Sequence, residues 1–272
     1  MFITVQGTRL FVSSFGAGEH TVLALGGWIG SGEVWQQVLG HLSRNWRAVT
    51  FDQRGSGTSH VPSDRDITRE AWVGDVFAVM DAQGIDRCLL MSDSSGCFPA
   101  VLAAQKRPER FTGLVLVGGA PRSPMDLKRR LFAAGLRVAP RRTLKTFARA
   151  CLPEDKTGHV RRWLWDICVR ADPRNAIRLM QIIDGFDLTE AAPKLTTPTL
   201  VVQGSKDYIH PLSDGKVLAS LIPGSDFVIM EGKGHVPMMS SPDEVVSIIE
   251  HWIQERDLAA TFSHAQRKFA VR

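Results

Sequence analysis

Hydrophobic and polar positions along this chain switch between two periods. Two short alternating segments, over 3–6 and 10–14, flank Gly7-Thr8 and predict a β-hairpin. The run Thr21-Val22-Leu23-Ala24-Leu25 is apolar on both faces and stops at Gly26-Gly27, as a strand inside a parallel sheet requires. Helical spacing comes next, with Val34, Val38, Leu39 and Leu42 on one face. The succession then repeats. Strands are predicted over 47–51, 88–91 and 114–117, and helices over 68–83 and from about 95 to 105.

After the strand over 114–117, which ends in Gly118-Gly119, the alternation stops. From 122 to 193 the spacing is helical throughout, broken at Pro140, Pro153, Asp172-Pro173 and Gly185. Strand and helix resume at 199–202, 212–221, 226–230 and 242–254, and the tail over 257–272 has little pattern. Repeated strand–helix units predict an α/β fold: a mainly parallel, doubly wound sheet of about eight strands with helices on both faces. A stretch of about 70 residues is too long for a loop. Residues 122–193 are therefore expected to form a helical cap inserted in a core made of 1–121 and 194–272. Its place is over the carboxyl edge of the sheet, where open α/β sheets bind ligands.

The 272 residues are 44% hydrophobic and 22% charged, enough apolar surface to bury one large core. No run of about 18 apolar residues is present, so no membrane span is expected. Met1-Phe2-Ile3-Thr4-Val5 reads as a strand rather than a leader. Cys88, Cys97, Cys151 and Cys168 form no CxxC pair and no zinc spacing. The expectation is reduced thiols in a cytoplasmic protein, with no metal and no cofactor.

Charge is placed unevenly. The net is +5, but 122–178 holds 15 of the 33 Lys+Arg and only 5 of the 28 Asp+Glu, a local +10 against −5 for the rest. Solvated helix faces are the plain explanation. An anionic substrate or an acidic carrier protein drawn to the cap is the sharper one. Nucleic acid is not expected, because the cations are not interleaved with a stacking platform.

The chemistry centres on Leu89-Leu90-Met91-Ser92-Asp93-Ser94-Ser95-Gly96-Cys97. An apolar strand runs into small-x-Ser-x-Gly and then a helix, the setting of a nucleophile elbow. There the residues two before and two after the nucleophile crowd each other and must be small. Ser92 and Gly96 meet that condition around Ser94, whereas centring the turn on Ser95 would put Asp93 and Cys97 in those places. A Ser-rich turn with Ser94 as a helix cap is the simpler alternative. A serine hydroxyl needs a base to take its proton, and a carboxylate to orient that base. In the order serine, acid, histidine, the chain offers Asp207, just past the strand over 199–202, and His235, past the strand over 226–230. All three leave the same edge of one sheet. Asp93 is expected to point away from the base. His210 sits only three residues from Asp207, and the remaining histidines have no strand-end partner. Oxyanion donors are expected from the amide of Ser95, at a helix N-terminus, and from that of Trp28 in Gly26-Gly27-Trp28. Neither GxGxxG nor GxxxxGK[ST] is present, which weakens a nucleotide cradle.

Together with Phe51-Asp52-Gln53-Arg54-Gly55-Ser56-Gly57, Gly204-Ser205-Lys206-Asp207 and Gly234-His235, these segments resemble the α/β-hydrolase fold family over about 3–256. The resemblance implies a serine esterase or lactonase working through an acyl-enzyme. The insertion resembles the four-helix lid of small esterases, lactonases and hormone-receptor-like members. Members usually carry His-Gly at Gly26-Gly27, and Gly at Ser92. Gly-Gly-Trp is also similar to cofactor-free dioxygenases of N-heteroaromatic rings. Those carry His-Ser-His at the elbow and an acid after the strand before the cap, where this chain has none. A ligand receptor that retains the triad is a further alternative. Haloalkane dehalogenases and epoxide hydrolases look similar but use Asp where this chain has Ser94. The apolar cap favours a small-molecule substrate with a hydrophobic part, and Gly27, Gln53, Trp163, Trp165 and Val236 are expected to touch it.

Overall fold

A computed structural model describes residues 1–124 and 126–258. The chain forms, in order, β1 (Phe2–Val5), β2 (Thr8–Phe15), β3 (His20–Leu25), α1 (Gln36–Leu42), β4 (Trp46–Phe51), α2 (Arg69–Ala82), β5 (Cys88–Asp93), α3 (Cys97–Lys106) and β6 (Phe111–Val117). β1 and β2 are the expected hairpin. β2 pairs antiparallel with β4, and the remaining pairings of the main sheet are parallel. β5 and β6 are buried along their whole length, which explains why neither shows an alternating pattern.

A helical insertion follows β6: β7 (Arg122–Ser123), α4 (Leu127–Val138), α5 (Pro140–Cys151), α6 (His159–Cys168), α7 (Pro173–Ile183) and β8 (Phe186–Asp187). Pro140 and Pro173, met in the sequence as breaks, sit in the first turn of α5 and α7, where a missing N–H costs nothing. The expectation of helix throughout 122–193 is corrected at both ends. Arg122 pairs with Asp187 and Ser123 with Phe186, a two-residue antiparallel ladder that ties the neck of the insertion. Two residues carry no periodicity, and the ladder joins chain ends far apart, so no local pattern announces it.

The core resumes with β9 (Thr199–Gly204), α8 (Leu212–Leu221), β10 (Asp226–Met230), α9 (Pro237–Ser240) and α10 (Pro242–Glu255). The eight-stranded order is β1-β2-β4-β3-β5-β6-β9-β10. α1 packs with α10, and α2 with α3, to cover the sheet. The strand order reverses between β3 and β5, and the loops that leave these two strands meet at their carboxyl ends, the place where such sheets bind ligands. Most of the weakly patterned tail lies outside the described residues. Among the described residues no helix is long and apolar enough to cross a membrane, and the four cysteines are unpaired and buried.

One buried ion pair shapes the loop after β4. Arg54 reaches Asp75 of α2 with two contacts, Nε to Oδ2 at 2.6 Å and a second nitrogen to Oδ1 at 2.5 Å, both side chains being almost fully buried. The loop it anchors presents Gln53, whose side-chain amide donates to the carbonyl of Gly26 from behind the β3 loop.

Candidate active site

Ser94 follows β5 directly and has a φ of +52°, a left-handed conformation unusual for a side chain-bearing residue. Such a backbone costs about 1–3 kcal/mol and persists only where its surroundings enforce it. The enforcement is visible. A Cβ on Gly96 would lie 2.7 Å from the Gly26 carbonyl oxygen, and Ser92 is fully buried. The turn throws Ser94 Oγ to within 2.8 Å of His235 Nε2. His235 Nδ1 lies 2.7 Å from Asp207 Oδ2.

Asp207 is held on all sides. Its Oδ1 accepts the backbone N–H groups of Ile209 and His210 at 2.8 and 2.9 Å, and its Oδ2 also accepts Gln203 Nε2 at 2.8 Å. Burial pushes its pKa up, but the charge and hydrogen bond of His235 outweigh that and hold the carboxylate below its usual range. For His235, burial pushes the imidazole down, while Asp207 and then Asp93 push it up; the net is upward. His235 is thus a strengthened base with its Nε2 on the Ser94 hydroxyl.

The histidine loop is tied to the insertion. The His235 amide donates to the Cys151 carbonyl at the end of α5, 2.7 Å away. Glu154 accepts the Gly234 amide at 3.1 Å and the Ser240 hydroxyl at 2.6 Å.

On the other side, the Trp28 amide donates to Ser95 Oγ at 2.7 Å, so in this state a protein hydroxyl occupies that donor. Asp93 is buried next to Ser94. Its Oδ1 accepts Trp35 Nε1–H at 2.8 Å and its Oδ2 the Gly27 amide at 3.2 Å, so it turns toward the β3 loop and not toward a ring nitrogen of His235. Burial pushes this carboxyl up to about 6. Trp28 joins the two parts of the molecule: its indole N–H donates to the Ala176 carbonyl of α7 at 2.9 Å, and its ring meets Phe132 and Phe147 edge-on.

A cavity of about 30 Å³ lies over Ser94, room for about one water. Gly27 and Val236 are in its wall, with Phe147, Cys151, Leu164 and Cys168 of the insertion. Three expected contacts are elsewhere. Gln53 is fully buried behind Gly26. Trp163 packs half-buried against the core, outside the cavity wall. Trp165 faces the outside of the insertion and donates its indole N–H to the Arg141 carbonyl at 3.0 Å. Burial raises the thiol pKa values of Cys151 and Cys168, the latter to about 12, so both stay protonated and weakly reactive. His210, which the sequence gives no reason to single out, stands edge-on to His235 with ring centroids 5.1 Å apart, its Nδ1 2.7 Å from the Gly118 carbonyl. Burial and then the charge of His235 push it down to about 4, which leaves it neutral. No group of three or more His, Cys, Asp or Glu side chains among the described residues is arranged to hold a metal.

Residues 21–248 match the model of the alpha/beta hydrolase family. A karrikin insensitive 2 receptor of Petunia hybrida is 27% identical over 252 residues, covering 88% of this chain and 93% of the receptor. A probable esterase of Oryza sativa subsp. japonica is 26% identical over 255 residues, covering 88% and 93%. The crystal structure of an enol-lactonase from Burkholderia xenovorans superposes with a TM-score of 0.86 at 23% identity, over 93% of this chain and 100% of that one.

Proposed function

Because this chain belongs to the alpha/beta hydrolase family, we propose that it is a serine hydrolase that cleaves a carboxylic ester or lactone with a hydrophobic part. The observation that carries this reading is the unbroken relay from Ser94 Oγ to His235 Nε2 (2.8 Å) and from His235 Nδ1 to Asp207 (2.7 Å). Ser94 Oγ attacks the carbonyl carbon as His235 Nε2 takes its proton, and Asp207 stabilises the imidazolium. The oxyanion goes to the amides of Ser95 and Trp28, after Ser95 Oγ has rotated off the Trp28 N–H. His235 then protonates the leaving alkoxide. A water activated by the same imidazole attacks the acyl carbon and releases the acid, with Ser94 restored.

The insertion acts as a lid. The cavity over Ser94 is narrow and only partly covered, so movement of the insertion would widen it for a substrate larger than a water. Polar contacts that hold it down include Trp28 to Ala176, Arg69 Nε to the Ile182 carbonyl at 2.6 Å, and Arg170 on Glu33. The wall made by Phe147, Leu164 and Val236 favours an apolar acyl or alkoxy group.

The test is turnover of p-nitrophenyl acetate and butyrate. Multiple turnovers by the native chain, lost by several orders of magnitude in Ser94→Ala, support the reading. A second reading, a ligand receptor that keeps the triad, is favoured by the likeness to the Petunia receptor. It predicts ligand-induced thermal stabilisation without multiple turnovers. The dioxygenase alternative fits less well, because the acid on His235 comes from the loop after β9 and not from the one after β6. It predicts oxygen consumption with a hydroxyquinolone that depends on His235 more than on Ser94.

A further inference from the structure

The excess positive charge of the insertion is not spread evenly over its surface. α5 turns Leu144, Ala148 and Cys151 inward, with Phe147 on the catalytic cavity, and leaves Lys145 and Arg149 exposed on its other side. α6 does the same, burying Leu164, Ile167 and Cys168 and turning Arg161, Arg162 and Trp165 outward. Between the two outer faces runs a groove of about 350 Å³ lined by these five side chains and Gly158. The helices themselves separate it from Ser94, so these cations do not line the catalytic cavity.

Every ionisable side chain in the groove wall is a cation. Asp155 lies near Arg161 and Asp166 pairs with Arg162 from outside the groove, which neutralises part of their charge. Asp155 is committed further, since it accepts the backbone amides of Gly158 and Arg161 at the start of α6. Lys145 and Arg149 have no acidic partner among the described residues. The guanidinium groups of Arg162 and Arg141 lie over the Trp165 ring at 5.2 and 5.6 Å from its centroid, which restrains two long side chains at the rim. Cations gathered in a concavity raise the local potential, and an anion that spans them relieves their mutual repulsion. The volume falls within the range of small-ligand sites. Planar guanidinium forks match phosphate oxygens two at a time, and several cations around one site match a ligand that carries more than one phosphate.

We propose that the groove between α5 and α6 is a binding site for a small oligophosphate, separate from the catalytic cavity. It does not depend on the hydrolase reading, because binding is measured directly. The probe is inorganic diphosphate, titrated calorimetrically into the 272-residue chain at low and high salt, with acetate as a monovalent control and a polyglutamate peptide as a protein-like one. Saturable binding of one diphosphate per chain is expected, weakening as salt rises. The variant Lys145→Glu/Arg149→Glu should lose at least about tenfold in affinity while melting, without ligand, at the native temperature. Should that variant melt early, Arg149→Gln carries the test with the same direction of change. Ser94→Ala should bind diphosphate as the native chain does. No diphosphate binding, equal binding by the groove variants, or equal binding of acetate overturns the proposal. So does tight binding of polyglutamate in place of diphosphate, which would assign the groove to a protein partner.

Discussion

The main-chain amide of His235 donates to the carbonyl of Cys151, 2.7 Å away, so the proposed base hangs from the last residue of α5. Glu154 adds a second tie through the Gly234 amide and the Ser240 hydroxyl. The insertion and the proposed base therefore share one support. Glu154→Ala removes a charged acceptor from both donors and loosens the loop that aims Nε2 at Ser94. We expect kcat for a p-nitrophenyl ester to fall about tenfold with KM little changed. A rise in KM alone would place Glu154 in substrate binding, and no change would show that the loop is held by the rest of its packing.

The hydroxyl of Ser95 accepts the Trp28 amide in the free protein, and the proposed mechanism requires it to leave that amide during the reaction. That hydrogen bond stabilises the starting state and not the transition state. Ser95→Ala should therefore raise kcat/KM by about fivefold, the worth of one ordinary hydrogen bond, and tighten a boronic acid analogue to the same degree. Weaker binding of the boronic acid by the variant would mean that the hydroxyl itself supports the oxyanion.

Asp93 bears on His235 electrostatically. As the base, His235 must be neutral, so kcat/KM falls as pH drops through its pKa, which lies above the ordinary imidazole value. Burial lowers that pKa, Asp207 raises it, and Asp93 raises it further. In Asp93→Asn the acid limb should move to lower pH. A stability effect accompanies it. The folded-state pKa of Asp93 is raised to about 6, so its contribution to stability is present at low pH and lost as pH rises through that value. Urea melts of the Asn variant should show a smaller loss between about pH 4 and 7 than the native chain does, the interval that runs from the ordinary carboxyl value of 3.8 to just above the raised one. An unmoved acid limb would separate Asp93 from the base.

Much of this site is legible in the sequence, for one physical reason. Ser94 and Asp207 each lie just beyond a buried parallel strand, the clearest pattern a chain can carry, and His235 follows the apolar run of β10, a half-buried strand at the sheet edge. The wall of the cavity is not legible in that way. It depends on which faces of α5 and α6 meet the sheet, a tertiary angle. Trp163 and Trp165 are two apart on a helix and cannot share a face; Leu164 between them reaches the cavity instead. Gln53 sits in a strand-end loop like the triad, yet the Arg54–Asp75 pair sets that loop behind Gly26. His210 stands so near Asp207 in the chain that spacing alone gives it no role. The loop folds back so that its amide reaches Asp207 and its ring reaches His235.

The buried Arg54–Asp75 pair holds the loop that backs Gly26, and its loss should be felt in stability. Asp75→Ala strands a guanidinium in the interior and should cost about 3–5 kcal/mol in urea unfolding. A change under about 1 kcal/mol would mean that water reaches Arg54.

The central claim is that Ser94, activated by His235 and Asp207, is the nucleophile. The most direct measurement is reaction with a fluorophosphonate followed by peptide mass spectrometry. We predict one adduct, on Ser94, absent from Ser94→Ala and strongly slowed in His235→Ala. An unlabelled protein, or an adduct on Ser95 with Ser94 untouched, would contradict it.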